Sequence, residues 1–229
     1  MRKLLLFDVD GTLVLTGGAG VRAMNWAFEQ TFGRSDALRG VPLAGRTDRA
    51  ILEEAVAQAL PGASLDDGQL AAFVDRYLER LRAEVALGGP GKRVLPGVRP
   101  LLERLAGRDD VELALLTGNL EAGARIKLEH FDLWRFFRWG AYGGAVTDRN
   151  ALLPVALAEA RARGLSGLDP SAVFVVGDTP ADVECARSGG ARAIAVATGP
   201  YDRAALSASG ADEVLEDLSD TAAFLRALA

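Results

Sequence analysis

The chain is poor in the side chains that most often build cross-links and reactive centres. One cysteine, Cys185, and one histidine, His130, occur in 229 residues. A lone cysteine excludes an intramolecular disulfide and suits a reducing cytoplasm. A lone histidine excludes a metal site built from several histidines. Lysine is also scarce: Lys3, Lys92 and Lys127 are the three present, and none falls between residues 16 and 91. Basic charge does not prevail, because the formal net charge is −5. That balance argues against nucleic acid as a partner, since phosphate backbones attract basic surfaces. No apolar run approaches the roughly 18 residues a spanning helix needs, and the run that follows Arg2 and Lys3 stops at Asp8, too short for a signal-peptide core. The expectation is a cytoplasmic protein with no membrane partner. The aromatics Phe131, Trp134, Phe136, Phe137 and Trp139 cluster without a basic stripe, so they read as core or covered surface and not as a stacking platform for bases.

What is present is ordinary globular composition, 49% hydrophobic and 25% charged, at a length that fits one large domain or a domain carrying an insertion. Short apolar runs at 4–7, 111–116, 173–176 and 193–197 each end in polar or turn residues. Such runs are the pattern of strands buried on both faces of a parallel sheet. Helical periodicity at 97–107, 121–130, 151–164 and 180–189 separates the later runs, and the alternation predicts an α/β fold with a doubly wound, Rossmann-like parallel sheet. Residues 19–87 break the alternation. They show helical periodicity at 19–33, 47–60 and 67–87 and no strand, with Gly17, Gly18 and Gly20 before them and Gly88, Gly89, Pro90 and Gly91 after. Glycine and proline clusters at both ends mark hinges. The pattern predicts an all-α cap domain, residues 16–92, inserted into a core made of residues 1–15 and 93–229.

Ligands of open parallel sheets bind at the carboxyl ends of the strands. Here those ends carry Asp8 and Asp10, then Thr117, Gly118 and Asn119, then Asp178. Converging carboxylates repel one another, and a bound cation is the simplest remedy. Alternate strand residues point the same way, so Asp8 and Asp10 can share a cleft while Val9 packs elsewhere. Plainer readings exist for each segment: an Asp-Gly turn after the first strand, a helix cap at Thr117 or Asn119, and a first-turn acid at Asp182 favoured by the helix dipole.

In order, Asp8-Val9-Asp10-Gly11-Thr12, the strand-terminal Thr117, and Gly177-Asp178-Thr179-Pro180-Ala181-Asp182 resemble the first, second and fourth motifs of the haloacid dehalogenase superfamily. The resemblance spans essentially the whole chain, and the family places a helical cap at the same insertion point. It implies that Asp8 is a nucleophile that becomes phosphorylated, and that Asp10 protonates the leaving oxygen and then activates water. It implies that Thr117, with Gly118 and Asn119, binds phosphoryl oxygens at the start of a helix. It further implies one Mg²⁺ on the Asp8 side chain, the Asp10 carbonyl and Asp178, supported by Asp182. Magnesium suits such a set because it prefers hard oxygen ligands and keeps waters.

The family's third motif supplies a cation, often lysine followed by proline, and this sequence departs from it. Arg149 is the positional match, ahead of the helix that contains Pro154, and its fork binds oxygens differently from a lysine point charge. Lys127 competes for the role, although a lysine within a helix is more often solvated. Asp10 implies phosphoryl transfer and not dehalogenation, because dehalogenases of the family lack the second aspartate. The missing cap lysine removes the Schiff-base chemistry of phosphonatases. The expected activity is hydrolysis of a small phosphorylated metabolite, with the nearest resemblance to phosphoglycolate phosphatases. Arg46, in a loop before a predicted cap helix, is the candidate for a substrate carboxylate; a solvated arginine beside a helix cap is the alternative. A sugar phosphomutase of the β-phosphoglucomutase type, or a binding protein without turnover, also remains open.

Overall fold

Residues 2–229 are described in a computed structural model. The four apolar runs form its central strands: β1 (Lys3–Phe7), β4 (Val111–Thr117), β6 (Val173–Gly177) and β7 (Arg192–Val196). Two short edge strands, β5 (Gly140–Tyr142) and β8 (Glu213–Leu215), complete a six-stranded sheet of order β5-β4-β1-β6-β7-β8. All five pairings are parallel. Side chains alternate between two cores, as the two-residue period of a strand requires. Leu5, Phe7, Leu113, Leu115, Phe174 and Val176 face one side. There they meet α4 (Val98–Ala106), α5 (Glu121–His130) and α9 (Thr221–Ala227). Leu4, Leu6, Ala114, Leu116, Val173 and Val175 face the other, against α6 (Leu152–Ala162) and α7 (Pro180–Ser188). A short helix, α8 (Arg203–Ala208), precedes β8. The fold is doubly wound α/β.

Chain order runs from β1 outward to β5 on one side, then returns to β6 and runs outward to β8 on the other. The crevice therefore opens where β1 lies between β4 and β6, at the carboxyl ends of the strands that carry the acidic and hydroxyl residues.

Between β2 (Val14–Thr16) and β3 (Lys92–Val94), an antiparallel pair that sets Thr16 opposite Lys92, lie α1 (Ala19–Phe32), α2 (Asp48–Ala59) and α3 (Asp67–Ala86). These helices bury a core of their own around Phe28, Leu52, Phe73, Tyr77 and Leu81. Their ends follow local rules. The Thr47 hydroxyl caps α2 by accepting from Ala50 N–H, and Asp66 and Gln69 form a capping box on α3. None of the described helices is long and apolar enough to cross a membrane. His130 is exposed at the end of α5, whereas Cys185 is buried in α7 and Phe137 and Trp139 are buried in the sheet cores.

Candidate active site

β1 ends at Phe7, so Asp8 and Asp10 do not lie on one regular strand. The Asp8 N–H donates to Val176 O at 2.9 Å, which ties the residue to β6. The chain then turns at Gly11, whose φ of 81° is glycine's region and whose N–H bonds Val14 O. Both carboxylates still reach one cleft, while Val9 is fully buried beneath them. Asp8 is buried, and burial pushes its carboxyl up to about 6, with Arg149 opposing and Asp182 and Asp10 reinforcing the rise. Asp10 is more open, with its side chain 43% exposed, and its Oδ2 accepts from Lys127 Nζ at 2.5 Å and Asn119 Nδ2 at 2.9 Å.

Thr117 closes β4 and is fully buried, with its Oγ accepting from Asn119 Nδ2 at 2.8 Å. The helical insertion rests directly on this segment. Asp48 N–H donates to Gly118 O at 2.7 Å, and Leu120 N–H donates to Asp48 Oδ2 at 2.9 Å. A Cβ at Gly118 would overlap Arg46 O, so only glycine admits the insertion this close. The amide of Leu120, just ahead of α5, is thus engaged by a carboxylate of the insertion and is not free for an anion.

Beyond β6, Asp178 accepts from the Thr12 hydroxyl at 2.9 Å and is wedged between Gly11 and Gly199, where a Cβ on either would overlap Asp178 Oδ2. Asp182 in the first turn of α7 has both oxygens engaged. Oδ2 accepts from Thr179 N–H at 3.0 Å and from its hydroxyl at 2.7 Å, and Oδ1 meets Arg149 Nη2.

The donor set fits a hard divalent cation. Asp8, Asp178 and Asp182 each bring a carboxylate oxygen within 4.8 Å of the others, and all three are buried. Burial, then Asp182 and Asp8, push the Asp178 carboxyl well above its ordinary value. Buried like charges of this kind are relieved by a cation. Because Asp182 is already held by Arg149 and Thr179, Asp8 and Asp178 are the oxygens freer to coordinate.

Two cations reach the carboxylates of the cleft, Arg149 at Asp8 and Lys127 at Asp10. Arg149, in a single turn of 3-10 helix over Arg149–Ala151, is buried and places Nη2 3.2 Å from Asp8 Oδ1. Burial opposes its charge, but Asp182 and Asp8 hold its pKa above the ordinary value. Lys127 is not solvated: it is 4% exposed, and its Nζ also lies 2.5 Å from Asn119 Oδ1. Burial opposes this charge too, and Asp10 and Asp48 more than offset it. The structure thus brings both competitors for the third-motif cation into the cleft. Arg46 lines the cleft, but its guanidinium bonds Pro42 O at 3.5 Å and Ala50 O at 3.4 Å and lies 3.9 Å from Glu54.

Sequence reading missed Tyr77 as a cleft residue, and it gave no role to Thr198 and Gly199, which follow the fourth apolar run. Thr198 donates to Gly11 O at 2.6 Å, and Gly199 seats Asp178. The signal available was position alone: both follow an apolar run, as Asp8 and Asp178 do.

The sequence profile of the haloacid dehalogenase-like hydrolases matches residues 5–196. The chain belongs to that family. A phosphoglycolate phosphatase of Synechococcus elongatus is 31% identical over 218 residues, covering 95% of this chain and 94% of its own. A probable phosphatase, IndB, of Dickeya dadantii is 30% identical over 237 residues, covering 100% and 95%. A crystal structure of a predicted phosphoglycolate phosphatase from Haemophilus somnus superposes with a TM-score of 0.72 at 19% identity, covering 98% of both chains, which is a likeness of fold.

Proposed function

We propose that this phosphatase hydrolyses a small phosphomonoester with Mg²⁺, through a phosphorylated Asp8. The observation that carries the reading is the convergence of Asp8, Thr117, Asp178 and Arg149 at the carboxyl ends of three adjacent strands and the turn preceding α6. Asp8 Oδ2 attacks phosphorus in line with the ester oxygen. As the P–O bond breaks, the ester oxygen takes the proton carried by Asp10. The Asp10 carboxylate then accepts a proton from water as that water attacks the aspartyl phosphate, which releases phosphate and restores Asp8. Arg149 balances the charge of the nucleophile and the phosphoryl group, and the Thr117 hydroxyl and Gly118 N–H orient phosphoryl oxygens. Asp8 Oδ, the Asp10 carbonyl and Asp178 would hold Mg²⁺, which when bound neutralises phosphoryl charge and fixes its orientation. The helical insertion acts as a cap that excludes water and positions the leaving group. A reducing cytoplasm suits a chain whose single thiol is buried and free.

The test is hydrolysis of p-nitrophenyl phosphate with Mg²⁺ against an EDTA control, for the wild-type protein and Asp8→Asn. Turnover that requires Mg²⁺ and vanishes in a folded Asp8→Asn protein is expected. Near-normal activity in that variant, or full activity in EDTA, refutes the mechanism.

A further inference from the structure

The cleft between the helical insertion and the sheet has a volume of about 600 Å³. That lies within the ~300–1,000 Å³ of sites that enclose drug-sized molecules, so a phosphoryl group and a glycolate-sized remainder would leave much of it empty. The insertion lines it with Val21 and Met24 of α1, Leu43, and Ile51 of α2, and Leu15 of β2 adds to the same surface.

Among the described residues, each cation on or beside this wall already meets groups of the protein. Arg46 makes long bonds to carbonyls of its own segment, at 3.4 and 3.5 Å, and lies 3.9 Å from Glu54. Arg22 is held by Glu84 and Gly17 O, each at 2.7 Å. Arg49 is paired with Glu53 at 2.5 Å, and Lys92 donates to Glu84 O, Val85 O and Leu87 O. Lys127 and Arg149 are committed to Asp10 and to Asp8 with Asp182. Asp48 also lines the cleft, and would repel a second anion.

Among the polar groups of the insertion's helices that line the cleft is a phenol. Tyr77 of α3 is 1% exposed and lines the cleft, and no group among the described residues hydrogen-bonds its hydroxyl. Burial holds the phenol well above its ordinary pKa, so it remains a donor. The hydroxyl opens onto the cleft, where a ligand oxygen can accept from it.

We propose that the leaving group this site accepts is uncharged, mainly apolar and larger than glycolate, and carries an oxygen that accepts from the Tyr77 hydroxyl. The inference rests on the phosphatase reading above and names the substrate class of that same site. The experiment measures kcat/KM with Mg²⁺ for hexyl phosphate, its ω-hydroxylated and ω-carboxylated counterparts, and phosphoglycolate, with p-nitrophenyl phosphate as the control. Alkyl esters share similar leaving-group reactivity, so the comparison reports recognition. Both neutral esters are expected to exceed both carboxylated ones by about tenfold or more. Tyr77→Phe is expected to reduce the ratio of ω-hydroxylated to plain hexyl ester by about fivefold or more. Equal or faster turnover of the carboxylated esters overturns the inference, as does a ratio unmoved in Tyr77→Phe. Turnover of the control without turnover of any alkyl ester overturns it as well, and leaves the phosphatase reading standing. An inert control sinks the phosphatase reading itself.

Discussion

Lys127 and Asp10 meet on one flank of the cleft, Nζ to Oδ2 at 2.5 Å, with Asn119 bonded to both. Lys127 comes from the second turn of α5, so a core helix fixes the carboxylate that the mechanism uses for proton transfer. Lys127→Met is expected to lower kcat by about a hundredfold or more, the scale of a general acid–base contribution. Lys127→Arg, which keeps a cation, is expected to recover part of it. Steady-state kinetics on p-nitrophenyl phosphate check both, with circular dichroism to establish folding.

Arg149 uses one nitrogen, Nη2, to reach both Asp8 and Asp182, while its Nε is buried with no hydrogen-bond partner among the described residues. It therefore behaves as a point charge, despite the fork. Arg149→Lys is expected to retain measurable turnover. Arg149→Met leaves two buried carboxylates unpaired and is expected to cost about 3–5 kcal/mol of stability. Thermal melts with and without Mg²⁺ test this, and Mg²⁺ is expected to restore part of the lost Tm in Arg149→Met.

Gly199 seats Asp178 by having no side chain. Gly199→Ala is expected to displace that carboxylate and weaken Mg²⁺ binding by about 10–100-fold, the usual cost of disturbing a ligand's support. Calorimetric titration with Mg²⁺ reads it directly, and unchanged affinity would remove Asp178 from the metal site.

Gly118 plays the matching part under the helical insertion, since a Cβ would overlap Arg46 O. Gly118→Ala is expected to lift the segment 43–48 from the core and break the Asp48 bonds to Gly118 and Leu120. Faster amide exchange in that segment, with a lower kcat/KM, is the expected signature.

Glu84 gives a pH dependence. Hydrogen bonding from Arg22 holds its carboxyl below 4.5 against the opposing effect of burial, and Arg80 adds to the effect. A depressed folded-state pKa means that this stabilisation is present above about pH 4.5 and is lost as pH falls through the folded value. Glu84→Gln is expected to cost about 1–3 kcal/mol near neutrality, reduced by the solvent exposure of both arginines, and to flatten the acid limb of Tm against pH.

The central strands and most helices were legible because each is a buried run or an amphipathic period, and the positions of Asp8, Thr117 and Asp178 followed from strand ends. β2, β3, β5 and β8 were missed because each spans three residues, too few for a period to register, and β5 begins with a glycine. The environment of Lys127 was illegible for a different reason. Within α5 it reads as one more charged residue, and its burial depends on Asp10 and Asp48, far away in sequence. Tyr77 belongs to a helix whose own core explains it, so nothing local marks it as facing the cleft.

The pairing of Thr16 with Lys92 sets the two ends of the insertion side by side. Lengthening, shortening or replacing the chain between such neighbours leaves the distance it must close unchanged, and loop-closure entropy grows only slowly with length. The ribbon thus works as a socket. The sheet and its carboxylates can be inherited intact while the segment plugged into them diverges, so chemistry and choice of leaving group are free to evolve on separate timetables.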